Sequence, residues 1–197
     1  MANFSQRFAE IISVLLHPFL MAGFIWIYIP LQTELAGWPL WRAGIIGWLF
    51  CIVLPLVYLF VQKQRGKIDD LDIRQRERRN RHFAVFKALY TTQLFIFILL
   101  QSPDYVLALA FAYAFNTLVY AFINRFWKIS IHGAGVGGPV GALLYLSQGA
   151  QWWLLLLFPF LAWSRVKLKH HTPAQTVAGL GLGLLLVYLE FYLTSFF

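Results

Sequence analysis

Seven apolar runs dominate this chain, at about residues 8–29, 43–61, 83–100, 105–123, 132–146, 152–163 and 173–196. Crossing the hydrocarbon of a bilayer as a helix takes roughly 17 to 25 predominantly apolar residues. Backbone in lipid must satisfy its own N–H and C=O groups, so runs of this length fold as helices. The sequence therefore predicts an all-α fold: a polytopic transmembrane bundle of six to seven helices, forming one domain over residues 1–197. The fifth and sixth runs are short, and the sixth is the weakest candidate for a full crossing. Trp38, Trp41, Trp152 and Trp153 fall at run ends, where amphipathic rings favour the headgroup layer. Composition agrees, since 60% of residues are hydrophobic and only 12% are charged, against about a quarter charged in soluble domains. The first run is too long for a cleavable signal, and no small-residue cleavage site follows it.

The charges are unevenly distributed. Seven crossings sort the loops onto two sides, and every one of the 16 Lys and Arg residues except Arg42 falls on the same side. That bias survives removal of the three cations assigned below to a site. The positive-inside rule makes this side cytoplasmic. A net charge of +8 in a membrane protein points to anionic lipid headgroups or an anionic substrate as partners. Nucleic acid is excluded as a partner, because the basic runs do not interleave with exposed aromatics. The single Cys51 lies inside an apolar run, so it offers neither a disulfide nor a zinc pattern and reads as a small buried hydrophobe. A channel or transporter has little support, with few polar residues at mid-membrane and no inverted halves.

Three polar clusters interrupt the apolar pattern. The first is Lys67-Ile-Asp-Asp-Leu-Asp-Ile-Arg74, whose two cations grip one anion only if the backbone between them bends. The second is Lys128-Ile-Ser-Ile-His132-Gly-Ala-Gly135, where Ser130 and His132 precede a helix start. Gly133, immediately afterwards, lets a backbone N–H approach an anion closely. The string from Gly133 to Gly138 fits a dinucleotide fingerprint, but no strand–helix–strand unit surrounds it. Gly137, Gly138 and Gly141, and likewise Gly179 and Gly183, read as close helix packing. The third cluster spans residues 164–175. Thr172-Pro173-Ala174-Gln175 has the form of a capping box with proline at the first helical position. His171 sits just ahead of that start, where the helix dipole favours an anion. Arg165, six residues earlier, offers a guanidinium fork suited to phosphate oxygens.

In chain order these clusters read Lys-x6-Arg, Ser-x-His and Ser-Arg-x5-His. The pattern resembles the three-part signature of the type 2 phosphatidic acid phosphatase superfamily: Lys-x6-Arg-Pro, Pro-Ser-Gly-His and Ser-Arg-x5-His-x3-Asp. The match runs from Lys67 to Gln175, more than half the chain. The resemblance implies a phosphatidic acid phosphatase/haloperoxidase-like helical core and a membrane lipid phosphatase. It further implies metal-independent, cofactor-free phosphoryl transfer through a phosphohistidine. His171 aligns with the nucleophile and His132 with the general acid that protonates the leaving oxygen. Lys67, Arg74, Ser130 and Arg165 align with the phosphate-binding groups, beside the Gly133 N–H. Such chemistry needs positioning and neutralisation of charge on the phosphoryl oxygens, which fixed cations and N–H groups supply.

The departures are specific. Gln75 follows Arg74 where the family has proline, and Ile129 and Ile131 flank Ser130. Gln175 stands where the family has the Asp that orients the nucleophile, so its oxygen accepts a ring N–H without supplying a negative charge. The stretch 164–177 resembles the variant third motif of dolichyl-diphosphate phosphatases, which favours a polyprenyl diphosphate over phosphatidic acid as the lipid phosphate. The competing reading is a non-catalytic membrane subunit or anionic-lipid-binding scaffold, favoured by the neutral Gln175. Family habit puts the site at the outer or lumenal interface, against the cytoplasmic side indicated by the charges. His17 reads as a helix-packing residue, His82 and His170 as basic surface, and residues 76–81 as a solvated face. Glu190 reads as interfacial.

Overall fold

The computed structural model describes residues 4–68, 73 and 75–194. Among these there are nine α-helices and no strand: α1 (Phe4–Leu15), α2 (Pro18–Leu31), α3 (Gly37–Trp48), α4 (Leu54–Gln64), α5 (Arg76–Leu99), α6 (Asp104–Phe126), α7 (Ile131–Leu146), α8 (Leu157–Lys167) and α9 (Pro173–Thr194). Five helical stretches are long and apolar enough to cross a membrane: Phe4–Leu31, Gly37–Gln64, Arg76–Leu99, Asp104–Phe126 and Pro173–Thr194. Large apolar side chains such as Leu99, Phe122 and Leu185 point outward from them. This is the make-up of an integral membrane protein.

Against the expected six to seven crossings, five helical stretches are long and apolar enough, and proline and run length shape the pattern. Pro18 has no N–H for the carbonyl of Val14, and the first run breaks at Leu16 and His17 into α1 and α2. Pro55 cannot bond to the carbonyl of Cys51, and the Gly37–Gln64 helix widens into a π-helical segment, Leu49–Val53, just ahead of it. The run at 152–163 divides into a 3-10 turn, Trp152–Leu156, and α8, which has Pro159 in its first turn. α7, at 16 residues, extends only about 24 Å at 1.5 Å per residue.

The chain forms two compact units, Met1–Met21 with Ile129–Phe197, and Ala22–Lys128. In the second, Trp26 stacks on Phe97 with ring centroids 5.3 Å apart. Its Nε1–H donates to Cys51 Sγ at 3.1 Å, and the Cys51 thiol donates to Gln93 Oε1 at 3.2 Å. Cys51 is buried, as expected, but it also links two buried polar side chains that would be costly alone. Gly47 lies against the Trp26 indole, where a Cβ would overlap the ring. α5 and α6 pack antiparallel, with Asn124 Nδ2 donating to the carbonyl of Arg76 at 3.0 Å.

The first unit is built on a close contact between α7 and α9. A Cβ on Gly137 or Gly141 would overlap the carbonyls of Leu180 or Leu184, and one on Gly183 would lie 2.7 Å from the carbonyl of Ala134. The order of these contacts along both helices makes them parallel. Helices in lipid gain no hydrophobic drive towards one another, so approach this near depends on small residues. Ile12, Leu16, Val136, Val140, Leu161 and Leu180 close the core among α1, α7, α8 and α9.

Candidate active site

The starts of α7 and α9 are both capped by their own sequence. Ser130 Oγ accepts the Gly133 N–H at 3.1 Å and opens α7. At α9, Thr172 Oγ1 accepts the Gln175 N–H at 3.3 Å, while Gln175 Oε1 accepts the Thr172 N–H at 3.2 Å. This is the reciprocal capping box expected from the residues. Parallel packing then sets the two starts side by side. The Ser130 N–H donates to the carbonyl of Gln175 at 3.2 Å, bringing the second and third polar clusters together.

α8 delivers the remaining group. Its end is a Schellman turn, with Lys169 N–H donating to the Val166 carbonyl at 2.9 Å and His170 N–H to the Arg165 carbonyl at 3.0 Å. Lys169 takes the left-handed conformation this turn requires, at φ 56°. The reversal places the His171 N–H 3.4 Å from the Arg165 carbonyl. Ser130, His132, Ser164, Arg165 and His171 are all buried.

The cap also determines the state of the nucleophile candidate. His171 Nδ1 lies 3.1 Å from Gln175 Oε1. The Thr172 N–H can only donate, so the amide atom it meets is the oxygen, and that oxygen can only accept. Nδ1 of His171 therefore carries the hydrogen, and the lone pair of the neutral ring is on Nε2. Gln175 is both helix cap and ring partner.

Gly133 has two visible roles. Its N–H is engaged by the Ser130 cap, and a Cβ there would lie 2.8 Å from the Thr176 carbonyl, so its small size admits α9. Arg165 is buried and donates from Nη1 to Ser13 Oγ at 2.7 Å. Ser164 Oγ donates to the Ala9 carbonyl at 2.7 Å. Ser13 has no motif around it, and His17 reads in the sequence as a helix-packing residue. Yet the ring of His17 is 4.8 Å from that of His132 and perpendicular to it, with an interplanar angle of 88°. Their one sequence signal is a polar pair four residues apart within an apolar run.

The first cluster belongs to the second unit. Lys67 is exposed just beyond α4, with its N–H on the Gln62 carbonyl at 3.0 Å, and Arg74 lies outside the described residues. Ile73 has a left-handed φ of 40°, costly for a β-branched residue. Arg79 Nε holds its carbonyl at 2.8 Å. Residues 76–81 are thus not simply a solvated face, because Arg79 is buried. Arg76 Nη1 donates to the Arg125 carbonyl at 2.7 Å, tying the start of α5 to the end of α6. His82 is also buried rather than superficial, with its ring 5.5 Å from that of Tyr58. Glu190, read as interfacial, is buried on α9.

No protein-family model, curated protein or solved structure matches the chain.

Proposed function

We propose that this protein is a membrane lipid phosphatase working through a phosphohistidine, with no metal in the reaction. The reading is supported above all by the pairing of the α7 and α9 starts through Ser130 and Gln175, with Gln175 holding the His171 ring through Nδ1. In the proposed reaction the acyl or prenyl tail stays in the bilayer while the phosphate enters the polar end of the helices. His171 Nε2 attacks phosphorus, the P–O bond to the leaving group breaks, and His132 gives that oxygen its proton. Water then attacks phosphorus and gives a proton to His132, the P–N bond to His171 Nε2 breaks, and inorganic phosphate leaves with the neutral imidazole restored. The resemblance assigns phosphate binding to Lys67, Arg74, Ser130, Gly133 and Arg165, although the Gly133 N–H is taken up by the Ser130 cap. Proton transfer of this kind contributes about 10²- to 10⁴-fold. Resemblance of the third motif to dolichyl-diphosphate phosphatases favours a polyprenyl diphosphate over phosphatidic acid.

Phosphate release by purified protein from a panel of lipid phosphates tests the reading. His171→Ala is expected to abolish turnover, and undiminished release would refute the mechanism. The second reading, a non-catalytic anionic-lipid scaffold, is favoured by the neutral Gln175 beside His171. It predicts an inactive wild type that still binds vesicles containing phosphatidic acid.

The charge bias supports a cytoplasmic site. In a Cys51→Ser background, Asn80→Cys, on the exposed start of α5, is expected to resist an impermeant thiol reagent in intact cells and to react after lysis. Labelling of intact cells would put the site on the outer face.

A further inference from the structure

Outside the three clusters, Ser13 in the last turn of α1 and His17 in the break before α2 touch the candidate site. The chain leaves α1 at Leu15, and the His17 N–H turns back to the Val14 carbonyl at 3.1 Å, so His17 follows Ser13 within one tight turn. Ile12 and Leu16, their neighbours, are anchored in the core with Val136, Leu161 and Leu180. This end of α1 is therefore packed against α7, α8 and α9.

We propose that Ser13 and His17 are positioning residues of the phosphatase site, Ser13 acting through Arg165 and His17 through His132. The inference rests on the phosphatase reading. Ser13 Oγ accepts from Arg165 Nη1 at 2.7 Å, and both residues are buried. A buried guanidinium is stable only where its donors are matched, and one anchored N–H sets the rotation of the whole planar fork. The adjacent Ser164 is held to α1 as well, through the Ala9 carbonyl. Both residues of the Ser-Arg pair are thus oriented by the first helix.

His17 is itself held from behind. Its Nδ1 accepts the Phe19 N–H at 3.2 Å, capping the start of α2, so the hydrogen of the neutral ring is on Nε2. Pro18 lies against Gly135, where a Cβ would come within 2.9 Å of the proline ring. The break between α1 and α2 is thereby docked on the first turn of α7, beside His132. With the His17 ring fixed by its own cap, the perpendicular contact at 4.8 Å sets the plane of the His132 ring. A general acid acts only when that plane aims its N–H at the leaving oxygen, and a misplacement of about 1 Å costs on the order of 10²-fold.

The test compares two leaving groups in one preparation: p-nitrophenyl phosphate, which departs without protonation, and a long-chain alkyl phosphate, which needs it. His17→Asn keeps a good helix cap for α2 but removes the ring. It is expected to slow the alkyl phosphate by about 10²-fold while changing the aryl phosphate little. His17→Gln is the second variant, and the ratio of the two rates is insensitive to how much protein is folded, because misfolded enzyme lowers both alike. In a His132→Ala background the His17 substitution is expected to add no further loss. Ser13→Ala is expected to raise KM for both substrates equally, with rescue by Ser13→Thr. Equal loss on the two substrates with His17→Asn, or none, overturns the inference while the phosphatase reading stands. A wild type inactive on both overturns the reading and the inference with it.

Discussion

Replacing Gly179 by Ala would put a methyl group onto the carbonyl of Ser130. The obstacle is backbone, which cannot rotate aside as a flexible side chain can, so α9 must move away or the capped start of α7 must shift. Overpacking of this kind costs about 1–3 kcal/mol. Gly181, two residues further along α9, is the internal control, because a Cβ there meets nothing within 4 Å. Both substitutions gain the same helix propensity, about 0.8–1 kcal/mol, so it cancels when the two variants are compared. In a chain of this size each kcal/mol moves Tm by about 2–4 °C. Gly179→Ala should therefore melt roughly 2–12 °C below Gly181→Ala in the same detergent. It should also release lipid phosphate more slowly, since the displaced turn carries Ser130 and His132. Thermal unfolding and phosphate release on the two proteins check this. Variants that melt together and turn over alike would refute the close α7–α9 contact.

Gln175→Ala removes both the cap on Thr172 and the acceptor for His171 Nδ1, so turnover should fall about tenfold or more and helix stability by roughly 0.5–2 kcal/mol. Gln175→Glu keeps an acceptor and adds a negative charge at the α9 start, worth about 0.3–1 kcal/mol, and should raise both Tm and rate; equal rates in all three proteins would remove Gln175 from the site. Lys169→Gly relieves the left-handed residue of the Schellman turn and should stabilise the protein by about 1 kcal/mol, seen as a higher Tm, whereas a lower Tm would contradict that turn.

Features encoded within a few residues were readable from the chain. The capping box at Thr172 and Gln175 and the small-residue faces of α7 and α9 follow from local chemistry, whereas His132, expected ahead of the helix, lies inside the first turn of α7. Prolines leave a weaker mark on the hydropathy pattern. Pro18 and Pro159 lie in runs that hydropathy alone treats as continuous, and lost backbone donors divide them. Buried polar residues were the least legible. Arg79 and His82 sit in a run of cations that reads as solvent-facing, and only packing against Ile73 and Tyr58 withdraws them.

The apolar runs alone thus dictated a helical membrane protein, because hydrocarbon leaves a long apolar backbone no other partner than itself. Which helix ends meet was decided by tertiary contacts. Glycines facing backbone across α7 and α9 bring Ser130 to Gln175 although 45 residues separate them in the chain. The Schellman turn returns Arg165 towards His171, and the docked end of α1 brings Ser13 and His17 to Arg165 and His132. The contact between Ser13 and Arg165 spans 152 residues. No local spacing predicts such a pairing, since it depends on how closely three separate helices can approach α1.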